Sequence, residues 1–179
     1  MPAMTLIDPI DQAKQRQVIA EVGRYLAEGE AHFGRPFAPI PVLFDLKGTT
    51  SGMYRVAGKV RVIRFNPWIF AKHFDESLAS TVPHEVAHYL TDVLYGLRNI
   101  RPHGEEWKRL MAVFGADASV RSTYSLEGIP RRRTRRYGYQ CACQHHEISS
   151  QRHRRIQSGA AQYRCRACGD TLRVAVDRP

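Results

Sequence analysis

No cysteine occurs before position 141, and no apolar run among the 179 residues approaches the roughly 20 that a membrane-spanning helix requires. The second absence excludes a membrane-embedded helical protein, and the first confines thiolate chemistry to the C-terminal end. Also missing is a basic segment followed by an apolar one at the start, where MPAMTLIDPIDQAKQ stands, so no secretory route is expected and the chain is expected in the cytoplasm. There is no internal repeat or low-complexity tract. Acidic residues are scarce in one region only. Residues 131–179 hold 3 acids against 12 arginines, whereas residues 1–130 hold 14 acids against 15 basic residues. The C-terminal segment therefore carries +9 of the formal charge of +10, a concentration that attracts polyanions such as nucleic acid. A basic tail that only aids solubility is the alternative. Otherwise 43% hydrophobic and 25% charged residues describe an ordinary folded chain. Its length suits one main domain and a satellite.

From about Pro9 to Phe33, the apolar residues Ile10, Ala13, Val18, Val22, Tyr25, Leu26 and Phe33 recur near helical spacing, which predicts an amphipathic helix. Gly34, Pro36, Pro39 and Pro41 end it, and Val42 to Leu46 reads as a short strand. Met53 to Phe65, with Ala57-Gly58-Lys59 at its middle, reads as a hairpin. After Asn66-Pro67, Asp75 is the expected N-cap of a long helical segment running through Leu97. Within it, Pro83 must either kink the helix or mark a first turn. A further helix is expected from about His103 through Phe114. The stretch from Ser122 to Arg136 loses apolar periodicity and includes Gly128, Pro130 and the run Arg131-Arg132-Arg133-Thr134-Arg135-Arg136, so it reads as a linker. Beyond it, Tyr137 to Val176 is rich in β-formers. The fold class expected is α+β, with a main domain over 1–130, a linker at about 122–136 and a small β-rich module over 137–179.

His84-Glu85-Val86-Ala87-His88 is an HExxH motif on the long predicted helix. Residues four apart share one helical face, so both imidazoles reach one zinc ion while Glu85 addresses its water. Zinc acidifies that water and polarises a carbonyl, and the glutamate serves as general base. A catalytic zinc takes three protein ligands. His103 is the expected third, because it follows the break at Asn99 to Pro102 and begins a helix that can return to the first. Glu105 and Glu106 are competing ligands close by. Trp107, four residues after His103, is expected to pack against the motif helix. An oxyanion-stabilising side chain is required by the chemistry, but no residue type or spacing singles it out. The hairpin is either a platform for an extended substrate or an ordinary structural element.

All four cysteines form two close pairs, Cys141-Ala142-Cys143 and Cys165-Arg166-Ala167-Cys168. Two pairs a hairpin apart match a zinc ribbon, in which four thiolates close a structural site. The first pair is C-x-C, so His145, His146 or His153 is a potential substitute for one thiol. Arg131, Arg132, Arg133, Arg135, Arg136, Arg152, Arg154 and Arg155, with Arg164 and Arg166, surround this module, and Tyr137, Tyr139 and Tyr163 are interspersed. Guanidinium groups bind phosphates and tyrosines stack on bases, which points to a DNA-binding ribbon. A small structural lid over the catalytic cleft is the alternative.

The arrangement of HExxH, fourteen residues and then His103-Gly104-Glu105-Glu106-Trp107 resembles the SprT family of zinc metallopeptidases. Thr81-Val82-Pro83 before the motif, Ile63-Arg64-Phe65-Asn66-Pro67 upstream and the cysteine module downstream belong to the same resemblance, which runs from about residue 10 to the end. That family is related to Spartan-type proteases, which degrade proteins crosslinked to DNA. The resemblance implies a zincin-like domain in which His84, His88 and His103 hold the metal and Glu85 is catalytic. One catalytic and one structural zinc are thus expected, with a protein substrate, DNA as partner and a nucleoid association within the cytoplasm. A non-enzymatic nucleic-acid-binding protein on a peptidase-like scaffold is the rival reading, and a hydrolase of small amides or esters is a third.

Overall fold

In the computed structural model, which describes residues 7–120, 124–130 and 135–175, the chain divides into two units, Met1–Arg131 and Arg132–Pro179. Helix and strand are mixed in both. The first unit opens with helix α1, Gln12–Phe33, whose N-cap Asp11 accepts a hydrogen bond from Lys14 N and whose end is Gly34 in the left-handed region. Val18, Val22 and Tyr25 face inward along it.

Three strands follow: β1 (Val42–Leu43), β2 (Gly52–Ala57) and β3 (Val60–Phe65). They form a sheet in the order β1-β3-β2, with β1 parallel and β2 antiparallel to β3. The expected strand to Leu46 ends at Leu43, and the chain rejoins β3 only where Leu46 N donates to Phe65 O. The hairpin turns through Gly58 at φ 61, with Ala57 opposite Val60. A two-residue turn with glycine first matches the twist of the strands. β2 is consequently an edge strand.

Asn66 fastens the exit from β3. Its side-chain oxygen caps helix α2 (Pro67–Lys72), and its Nδ2 donates to Gly48 O and Thr50 O. The long helical run then begins at Phe74 with His73 in the cap position, so Asp75 lies inside the first turn and is not the cap. It comprises α3 (Phe74–Glu76), a π-helical turn (Ser77–Thr81) and α4 (Val82–Tyr95). Pro83 sits in the first turn of α4. Its lack of an N–H is absorbed by the wider turn before it, as π-turns commonly allow beside functional residues.

Helix α5 spans Glu105–Val113, two residues later than the sequence pattern suggests, because His103 adopts φ 57 and cannot be helical. One apolar cluster unites Val86 and Leu90 of α4 with Ile63, Phe65, Phe70, Tyr25, Trp107 and Met111. Residues 124–130, in the stretch read as a linker, are fastened to the same unit. Ile129 is buried, Ile7 N donates to Gly128 O, and Lys72 Nζ donates to Glu127 O and Ser125 Oγ.

The second unit has strands β4 (Arg136–Gln140), β5 (His145–Ser149) and β6 (Arg173–Val174) in the order β5-β4-β6, both pairings antiparallel. Helix α6, Ser150–Gln157, interrupts the expected β character. Ser149 caps it by accepting from Arg152 N, and its straight-chain glutamine and arginine residues favour helix. The interior is small, being Tyr139, Ile148, Cys165 and Leu172. Among the described residues, no helix is long and apolar enough to cross a membrane.

Candidate metal centre and active site

α4 places His84 and His88 one turn apart, and a left-handed turn aims His103 back at them. Only a few residue types tolerate that turn, histidine among them. Gly104 completes it: its N–H donates to Arg101 O, and a Cβ there would lie 2.9 Å from that same oxygen. Trp107, almost fully buried, lies within 4.8 Å of the His84 and His103 rings, centroid to centroid, and donates from Nε1 to His84 O.

The three Nε2 atoms converge. His84 to His88 is 3.2 Å, His88 to His103 is 3.1 Å and His103 to His84 is 3.0 Å. Three like acceptors cannot satisfy one another with protons at a single point. A tetrahedral zinc with Zn–N bonds of about 2.0–2.1 Å separates its ligand nitrogens by about 3.3 Å, close to the spacing found. The donor set therefore fits zinc. Burial favours the uncharged rings that metal binding needs: it pushes His84 down to about 4, helped by His103, and His88 to about 3, helped by both neighbours. His103 is lowered for the same reason. Glu105, instead of joining the triad, pairs with Lys108, and neither it nor Glu106 belongs to the metal-ligating group.

Glu85, next to His84 on α4, is buried. Burial pushes its carboxyl up to about 7, against the pull of the Tyr54 N–H, which donates to Oε2 at 2.6 Å. β2 reaches this carboxylate because residue 52 is glycine. The Tyr54 side chain continues to Asp92, whose Oδ2 accepts from Tyr54 Oη at 2.6 Å and from Arg61 Nε at 2.7 Å. Beside His84 and Glu85 opens a cleft of about 490 Å³, lined by Thr50, Gly52, Ser80, Thr81, Tyr124 and Asp117 with further serine and threonine residues and Val120.

In the second unit, the sulfurs of Cys141, Cys143, Cys165 and Cys168 lie within 4.8 Å of one another. Backbone N–H groups of Cys168 and Ala167 pull Cys165 down to about 5, while crowding by Cys168 and Cys141 pushes Cys143 up to about 12. Such a set resists full ionisation unless a cation shares it. Of the three histidines, His146 approaches the set, with Nε2 3.2 Å from Cys141 Sγ. His153 instead stacks on Tyr137 at 3.7 Å and bonds Tyr139 Oη. Among the arginines, Arg136, Arg152 and Arg155 line one concavity of about 550 Å³ with Tyr163. Arg135 lies over the Tyr137 ring, and Arg154 is exposed on α6. Arg131, Arg132 and Arg133 lie outside the described residues.

The SprT-like family model matches residues 25–127, which contain the histidine triad, Glu85 and the cleft. This chain belongs to the SprT-like family. Protein SprT of Klebsiella pneumoniae (strain 342) is 32% identical over 161 residues, covering 89% of this chain and 93% of that protein. Protein SprT of Vibrio atlanticus (strain LGP32) is 34% identical over 160 residues, covering 89% and 92%. Protein SprT of Serratia proteamaculans (strain 568) is 30% identical over 168 residues, covering 93% and 95%. The similarity to these proteins extends beyond the matched segment into the cysteine-bearing unit of this SprT-like chain.

Several participants escape sequence reading. Gly52 and the Tyr54 N–H matter through strand register, which no motif encodes. Tyr124 falls in an irregular segment, where a lone aromatic among polar residues was the available signal. Asp92, four residues after His88 within an apolar helix, was detectable as a misplaced charge.

Proposed function

We propose that this SprT-like protein is a zinc endopeptidase with a zincin-like catalytic unit, acting on proteins associated with DNA. The observation that carries the reading is the convergence of three half-buried imidazoles to within 3.2 Å beside a buried glutamate at the wall of an open cleft. Zinc held there by His84, His88 and His103 would supply Lewis-acid polarisation of a carbonyl and acidification of water. Glu85, with its carboxyl near 7, is matched to accepting a proton at neutral pH. The Tyr54 N–H fixes Oε2 and leaves Oε1 to take the proton of the attacking water. Glu85 then returns that proton to the amine as the carbon–nitrogen bond breaks. The edge strand β2, which begins beside Glu85, offers an extended polypeptide a main-chain partner, which favours proteins over small amides.

Four thiolates of Cys141, Cys143, Cys165 and Cys168 would hold a structural zinc that stabilises a unit with a small core. Arg135, Arg136, Arg152, Arg154 and Arg155 on that unit, with Arg131, Arg132 and Arg133 beside them in sequence, would bring the enzyme to DNA phosphates.

Glu85→Gln tests the catalytic assignment. Zinc content per chain is expected to stay unchanged while cleavage of an unfolded protein falls by about 10²–10⁴-fold. Undiminished cleavage would remove Glu85 as the base. Absence of cleavage by the unaltered protein, with zinc bound and DNA present, would favour the non-enzymatic scaffold.

A further inference from the structure

Acyl transfer at a zinc site needs a donor for the oxygen that becomes negative in the transition state. The cleft beside His84 and Glu85 limits the choice. Among the described residues that line it there is no lysine, arginine, asparagine or glutamine, and the neutral donors are hydroxyls of serine, threonine and one tyrosine, Tyr124. A phenol is the strongest donor of that set, and its rigid ring holds the hydroxyl at a fixed reach.

Tyr124 is held firmly. Its ring stacks on His73 with centroids 4.8 Å apart and planes 12° apart. His73 is itself tied to Glu76 Oε2 at 2.9 Å and to Ser125 O at 3.0 Å. The Tyr124 hydroxyl lies 2.7 Å from Ser80 Oγ and 3.4 Å from Thr81 Oγ1. Ser80 has one proton and donates it to Glu76 O at 2.7 Å. The hydrogen bond between Ser80 and Tyr124 must therefore be donated by the tyrosine. Ser80 and Thr81 stand one helical turn before His84, so this proton rests in the cleft that His84 also lines. Rotation about the Cζ–Oη bond turns it into the cleft without moving the ring.

We propose that Tyr124 is a catalytic residue of the peptidase, donating a hydrogen bond from its hydroxyl to the carbonyl oxygen of the scissile bond as that oxygen gains charge. The proton is shared and not transferred, so no further acid or base is needed. Ser80 is the resting acceptor for the hydroxyl. This inference rests on the peptidase reading above.

Tyr124→Phe keeps the ring and its stack on His73 while removing the donor. For cleavage of labelled casein, kcat is expected to fall about 10²–10³-fold, the usual effect of losing one such donor. KM should stay within about twofold, as befits an interaction made in the transition state alone. Zinc content and Tm should not change. A phosphinic pseudopeptide built on a cleaved casein sequence, which mimics the tetrahedral geometry, should bind the variant about 10²–10³-fold more weakly in calorimetry. The parent peptide should bind Glu85→Gln and Glu85→Gln/Tyr124→Phe equally well.

Ser80→Ala separates chemistry from structure. It removes the resting acceptor but not the donor, so kcat should fall much less than in Tyr124→Phe. Equal losses in Ser80→Ala and Tyr124→Phe would overturn the proposal in favour of a structural contact, as would full activity of Tyr124→Phe. In either case a dead Glu85→Gln would leave the peptidase reading standing. An unaltered protein that cleaves nothing would sink that reading first.

Discussion

A methyl group at position 52 would stand 2.7 Å from Glu85 Oε1, 2.8 Å from Glu85 Cγ and 2.8 Å from Thr81 Cγ2. Those separations are below van der Waals contact, so any side chain there must push β2 or the glutamate aside. Gly52→Ala is expected to lower kcat at least about tenfold with zinc retained, because the displaced group is the proposed base. Overpacking should cost about 1–3 kcal/mol in stability. Thermal melting and cleavage rates check the two parts separately, and an unchanged kcat would show that Glu85 tolerates the shift. His103 makes the complementary point. Its candidacy as a ligand is legible from the helix break before it and from the family resemblance, yet its φ of 57 is not. That conformation is what turns the ring toward α4, and a strained backbone of this kind is held by surrounding structure.

At the scale of elements, α4 must be fixed against the sheet as well as formed. Asp92 near its C-terminal end does this. It gathers Tyr54 Oη from β2, Arg61 Nε from β3 and Leu97 N from the turn after the helix. Burial alone would push the Asp92 carboxyl up, but the bonds from Tyr54 and Arg61 outweigh it and hold it below the ordinary range. A carboxyl lowered in the folded state contributes stability that is complete above its unfolded pKa and is lost as pH falls through the folded value. The unaltered protein should therefore lose Tm between about pH 5 and pH 2 more steeply than Asp92→Ala does. At neutral pH, Asp92→Ala should cost about 2–4 kcal/mol in denaturant unfolding, since three donors lose their shared partner. A pH-independent difference between the two proteins would refute the ionic part. The helix pattern and its proline were readable in advance. The π-helical turn before Pro83 was not, because i→i+5 bonding leaves no residue signature.

For the molecule as a whole, the charge asymmetry carries a prediction independent of the catalytic site. Arg136, Arg152 and Arg155 share one concavity. If these three meet phosphates, the logarithm of DNA affinity should fall against the logarithm of salt with a slope of about −2.7 or steeper. Arg152→Glu with Arg155→Glu should flatten that slope by about 2 and leave cleavage of a free unfolded protein intact. Fluorescence anisotropy over a salt series measures it, and a flat response would dissociate the basic unit from nucleic acid. The sequence by itself determined what depends on residue type and short spacing. Two imidazoles four apart, a glutamate between them, two cysteine pairs and a block of arginines each announce their chemistry because the relevant geometry is local. The tertiary structure alone decided what depends on the meeting of distant segments: the left-handed turn that delivers His103, the glycine-lined approach of β2 to Glu85, the Asp92 tie, and the seating of Tyr124 against Ser80. Those contacts join residues far apart in sequence, and their distances follow from packing the core around Trp107 and Leu90, which no local pattern encodes.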